Sequence, residues 1–145
     1  MKMKKIIFLS VIMLTIVTFN TRAQGTIEVT VNDIGSSKGN IILMLFNDQE
    51  GFPSQEDKVY QLGKVKATKG TIVYRFMDLP YGIYAVSIYH DENDNGEMDK
   101  NFMGFPRERI GASKHSRLGK PSFDKASFHL TAHEKKVVLI MNFLN

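Results

Sequence analysis

The stretch FMDLPYGIYAV, residues 76–86, decides the fold. Pro80 fixes its own φ, Gly82 can supply a positive φ, and Leu79 is placed to tuck inward as the chain crosses between layers. Tyr84 then falls near the start of a strand, where a corner tyrosine buries its ring and hydrogen-bonds nearby backbone. Such a corner belongs between two packed sheets. On its N-terminal side, residues 71–77 put Ile72, Tyr74 and Phe76 on one face, opposite Val73 and Arg75. On its C-terminal side, residues 83–90 put Tyr84, Val86 and Ile88 together.

Further out, Ile27, Val29 and Val31 alternate with Glu28, Thr30 and Asn32, the mark of a half-buried strand. After the turn-forming residues 35–39, the apolar run at 41–46 is short enough to be a central strand rather than a helix. Residues 48–57 read as a loop and 58–66 as a less regular strand, while 127–130 and 136–144 supply two more. About seven strands, no 3.6-residue period and no internal repeat predict an all-β chain folded as an antiparallel β-sandwich. The corner itself resembles the Leu-Pro-x-Gly-x-Tyr corner of prealbumin-like and carboxypeptidase-regulatory-like sandwiches. The expected fold is therefore prealbumin-like or immunoglobulin-like.

At the N-terminus, Lys2, Lys4 and Lys5 precede an apolar run at 6–19, and Ala23 stands ahead of Gln24. This is the layout of a signal peptide: the run of about 14 residues is short of the ~20 a spanning helix needs. Cleavage after Ala23 is expected, in preference to a retained anchor, leaving one domain at 24–145 in the periplasm or outside the cell. Four of the 19 basic residues and none of the 15 acids lie in residues 1–23, so the remainder holds 15 of each sign. The basic excess belongs to the export signal, which argues against a nucleic-acid partner. With no cysteine, neither disulfides nor a lipid anchor on an N-terminal Cys is available.

The segment HDENDNGEMD, residues 90–99, carries the chemistry. Counting from Asp91, oxygen-bearing side chains fall at positions 1, 3 and 5 (Asp91, Asn93, Asn95), Gly96 at 6, Glu97 at 7 and Asp99 at 9. Calcium takes six to eight oxygens, and alternate side chains of a curling loop converge on it where glycine permits the bend. The candidate ligands are Asp91, Asn93, Asn95, Glu97 by its backbone oxygen, and Asp99. Phe102 occupies position 12, where an EF-hand closes with a bidentate Glu, and no helices flank the segment. The loop is thus a sandwich-edge loop that needs further ligands, with a weak affinity on the order of 10⁻⁴ to 10⁻³ M. The competing reading is a metal-free turn, since Asp, Asn and Gly also make turns. Residues 91–99 hold five acids and residues 100–120 hold six bases against Glu108 alone, so internal ion pairs are the alternative neutralisation.

From 91 to 125 the chain shows no predicted strand, longer than an ordinary connection. Phe102, Phe105, Pro106, Ile110 and Phe123 are expected to fold back over it as an apolar lid. HDENDNGEMDKNFMGFPRERIGAS followed by GKPSFDKASF resembles the bacterial family named domain of unknown function 2141, over most of the chain beyond residue 23. The resemblance implies an exported β-sandwich and carries over no catalytic residue. Ala112 and Lys114 stand where that family commonly has an aromatic residue and Asn.

Other chemistry is thin. His129 and His133 flank a turn, where four-residue spacing does not align them, and HLTAHE is not the HExxH zinc pattern. His90 either hydrogen-bonds a ligand carboxylate from outside or simply ends a strand. No nucleophile elbow, P-loop or nucleophilic cysteine is present. The expectation is a non-catalytic exported module that presents its long loop to a protein or glycan. The alternative is a secreted hydrolase of glycans or peptides using the acids of 91–99, which requires a raised pKa within a cleft.

Overall fold

In a computed structural model, residues 24–114 and 119–143 are described. The expected signal peptide and its cleavage point lie outside the described residues, as do Arg117 and Leu144.

The described chain forms eight strands: β1 (Gln24–Ile34), β2 (Asn40–Phe46), β3 (Gln61–Lys66), β4 (Gly70–Pro80), β5 (Gly82–Asp91), β6 (Ile110–Ala112), β7 (Phe128–Leu130) and β8 (Lys136–Asn142). A 3-10 turn at Glu56–Lys58 and one helical turn, α1 (Phe123–Ala126), complete them. One sheet runs β4-β1-β8 and the other β3-β2-β5-β6, with β7 also pairing β5. The sandwich expectation holds, with one pairing outside it: β1 and β8 run parallel, Thr26 facing Lys136 through Asn32 facing Asn142.

The corner works by close contact. β4 and β5 lie in different sheets with only Tyr81 between them, so the chain changes layer at Pro80–Gly82. Leu79 is buried, and the Tyr84 hydroxyl donates to the Pro80 carbonyl at 2.8 Å. The positive φ that lets the chain bend sits at Asp78 (58°), whereas Gly82 has none and has room for a side chain beside the Tyr84 ring. Asp tolerates the left-handed region because its short side chain leaves the backbone accessible.

Two cores result. Ile27, Val29 and Val31 of β1 meet Ile41, Leu43 and Leu45 of β2, Phe76 and Leu79 of β4, and Val86 and Ile88 of β5 between the sheets. β2 and β5 are also buried on their other face, where Ile42, Met44, Phe46, Ala85 and Tyr89 form a second cluster. That cluster is covered by Phe52, Met98, Ile110, Ala112, Phe123 and Ala126. The described part of the excursion at 91–125 therefore adds β6 to that sheet and lays Met98 and Phe123 over the sheet's other face. Ile110 and Phe123 cover the sheet as the lid expectation required, but Phe102 and Phe105 do not fold back: they are 98% and 60% exposed.

Candidate metal loop and its surroundings

Asp91 ends β5 with no exposed surface, and its carboxylate accepts the N–H of Asn95 (3.2 Å) and of Gly96 (3.0 Å). Both donors lie four and five residues on, so the chain must curl tightly around the carboxylate. Positive φ at Asp94 (55°) and Gly96 (76°) provides the curl. Gly39 supplies the space beside it: at φ 64° its missing Cβ would stand 1.8 Å from the Asp91 carbonyl oxygen. Any side chain there displaces the loop.

The other candidate ligands are drawn into the same network. Asn93 and Asn95 each donate a side-chain N–H to Asp99, at 2.7 Å to Oδ2 and 3.0 Å to Oδ1. Their amide oxygens accept the N–H of Asn95 (3.2 Å) and of Glu97 (3.0 Å). Asp91, Asn93, Asn95 and Asp99 are thus linked in one ring of hydrogen bonds, and Glu97 joins it through its N–H. Two amide donors on one carboxylate supply the partial positive charge that a cation would otherwise bring.

Asp94 faces elsewhere, hydrogen-bonded to the Asn40 amide and to Lys64 Nζ at 3.0 Å, and that lysine holds its carboxyl below the usual range. This is the ion pairing that the metal-free reading calls for, but it reaches β3 rather than the basic residues downstream. His90 is also directed elsewhere. Its Nε2 lies 2.8 Å from the Lys38 carbonyl and its Nδ1 lies 3.6 Å from Glu92, so it ties down the 35–39 turn and contacts none of the five candidates. His129 and His133 are both exposed.

Glu108 is the residue that sequence reasoning missed. Residues 99–107 double back as a small hairpin: Lys100 pairs with Pro106, the Asn101 N–H bonds the Phe105 carbonyl at 2.9 Å, and the Arg107 N–H bonds the Asp99 carbonyl at 2.8 Å. That return delivers the Glu108 carboxylate to Asp99, whose N–H donates to Oε2 at 3.3 Å. Oε1 is buried without a hydrogen-bond partner. Burial, aided by the Asp91, Asp99 and Glu92 carboxylates, pushes the Glu108 carboxyl up to about 7. The signal in the sequence was its isolation as the single acid among the six bases of 100–120.

Among the described residues, no three His, Cys, Asp or Glu side chains are gathered closely enough to hold a metal by themselves. A cation here draws on amide and backbone oxygens as well. Beside the loop, a groove of about 690 Å³ runs along Met98, Lys100, Phe105, Arg107, Glu108 and Lys120.

A family model described as an uncharacterized protein conserved in bacteria, DUF2141, matches residues 29–138, from within β1 to within β8. No curated protein and no solved structure matches the chain.

Proposed function

The chain belongs to the uncharacterized bacterial family DUF2141, and from that premise we propose an exported, non-catalytic binding module whose acidic loop is held by calcium. Asp91, Asn93, Asn95, the Glu97 backbone oxygen and Asp99 are the ligands from the loop, and Glu108 is the carboxylate that closes the site from the hairpin's return. The observation that carries this reading is Glu108: a buried oxygen with no partner, on a carboxyl kept protonated to about pH 7 by burial and by neighbouring acids. A hard, doubly charged ion relieves such crowding, and the Asn93 and Asn95 amide oxygens reach it by giving up the N–H groups of Asn95 and Glu97 that they accept in its absence. In this role the ion is a staple that fixes where the 99–108 hairpin leaves the sandwich.

Thermal melts with millimolar calcium and with chelator test the proposal. A ligand that prefers the native state raises its stability by RT ln(1 + [L]/Kd), and magnesium, which demands tighter octahedral geometry, is expected to substitute poorly. Equal melting in calcium and chelator overturns the staple.

A specific observation also favours a hydrolase, though through Glu108 rather than the acids of 91–99, because Glu108 has a raised pKa and lines a groove. Incubation with oligosaccharide and peptide substrates separates the two. A staple predicts no turnover in the parent chain, and loss of the calcium-dependent rise in melting in Asp91→Asn and Asp99→Asn. A hydrolase predicts turnover that Glu108→Gln abolishes.

A further inference from the structure

The tip of the 99–107 hairpin gathers exposed apolar side chains in one short stretch of chain. Phe102, Met103 and Phe105 are 98%, 64% and 60% exposed, three large apolar side chains within four residues. Apolar groups so far out of the fold contribute nothing to its core. Part of the backbone around them is nevertheless satisfied within the turn. Asn101 Oδ1 accepts the N–H of Met103 (2.9 Å) and of Phe105 (3.0 Å), the Gly104 N–H bonds the Asn101 carbonyl, and Pro106 has no N–H. Together with the Asn101 N–H, four donors are satisfied within the turn, which lowers the cost of taking the tip out of water.

Charge is arranged to match. Lys100 and Arg107, both exposed, stand at the two feet of the tip with no acid between them in sequence, their acidic neighbours Asp99 and Glu108 lie on the side away from the tip, and Lys120 lines the same groove. Aromatic residues ahead of a basic collar are suited to the boundary of a bilayer, where rings enter the acyl region and cations remain among phosphates. A protein pocket would also take an aromatic anchor, but it requires a fixed shape on the tip's flanks, and Phe102 leans on nothing. We propose that residues 102–105 insert into the interface of an anionic lipid bilayer, with Lys100, Arg107 and Lys120 meeting the lipid phosphates. This rests on the reading above only in taking the excursion as the presented surface, so it stands or falls separately from calcium.

The chain contains no tryptophan, so Phe102→Trp places a single tryptophan, excited apart from the five tyrosines, at the tip. On the chain from Gln24 onward, which holds every described strand and both cores, its emission is expected to shift to the blue with phosphatidylglycerol-containing vesicles. Brominated acyl chains are expected to quench it. In co-sedimentation, replacing Phe102, Met103 and Phe105 with serine should lower partition at least about tenfold while leaving the melting temperature unchanged. Replacing Lys100, Arg107 and Lys120 with glutamine should weaken binding to anionic vesicles about tenfold and leave binding to pure phosphatidylcholine as it was. Binding in calcium, in chelator or in both supports the proposal. Absence of any lipid-induced shift overturns it, as does equal partition of the serine variant and its parent. A blue shift that grows with protein concentration without lipid also overturns it, in favour of a second copy of the chain.

Discussion

The two ends of β5 close in opposite ways. At Gly82 the strand begins from a corner held by a buried leucine and one hydroxyl-to-carbonyl bond. At Asp91 it ends in a ring of carboxylates and amides, with Glu108 arriving from seventeen residues further on. The first end is fixed by removing apolar surface from water, which hardly depends on ions or pH. The second is fixed by charge, so its geometry is conditional on whatever neutralises it. One strand thus joins a permanent hinge of the fold to an adjustable one.

The largest test of that contrast is Leu79→Ala. Emptying a site between the sheets should cost about 2–5 kcal/mol, by the same amount in calcium and in chelator, as read from denaturant midpoints. Tyr84→Phe, which leaves the Pro80 carbonyl without its donor, should cost about 1–2 kcal/mol, again without regard to calcium. A calcium-dependent difference in either variant would break the division between the two ends. At the acidic end the effects are smaller and conditional: about 10 mM calcium over a site of about 1 mM should add about 1.4 kcal/mol, and Asp99→Asn should remove that increment.

The smallest effect is in pH. Glu108 has its folded value raised from 4.5 to about 7, so it holds its proton more tightly in the folded chain. The stability this provides is complete below about pH 4.5 and is lost as pH rises through about 7. Because the Glu108 side chain is only partly buried, the loss should be about 1 kcal/mol. In chelator, the difference in melting between parent and Glu108→Gln should change across that window. With calcium bound it should flatten, and a difference independent of pH in both conditions would remove Glu108 from the loop's electrostatics.

The sequence disclosed the corner because all its parts lie within a few residues: Leu79, Pro80 and Tyr84 act on one another directly. Even so, it misassigned the positive φ to Gly82, since a glycine advertises freedom that only the folded backbone shows to be used, and Asp78 used it instead. β6 was invisible because three residues are too few to display alternation, and its existence depends on Ser87 facing Ala112 across the sheet. The second core was legible only in part: Ile110 and Phe123 were expected as an apolar lid, whereas Met98 has no period and only the burial of β2 and β5 on both faces gives it something to cover. In the acidic loop, alternation of oxygen-bearing residues singled out Asp91, Asn93, Asn95 and Asp99 as candidate ligands, and what links them in the structure is hydrogen bonds to one another. The carboxylate beside it required a hairpin to bring it back, which no local spacing encodes.

The parallel pairing of β1 with β8 sets an order of assembly. A chain made from its N-terminus presents β1 first, yet one flank of that strand waits for residues 136–142, more than a hundred positions later. Until they arrive, β1 has an exposed ladder edge and an apolar side without its full cover, the condition in which strands from separate molecules join. β8, following β1 at that distance, then acts as the latch that covers its open flank.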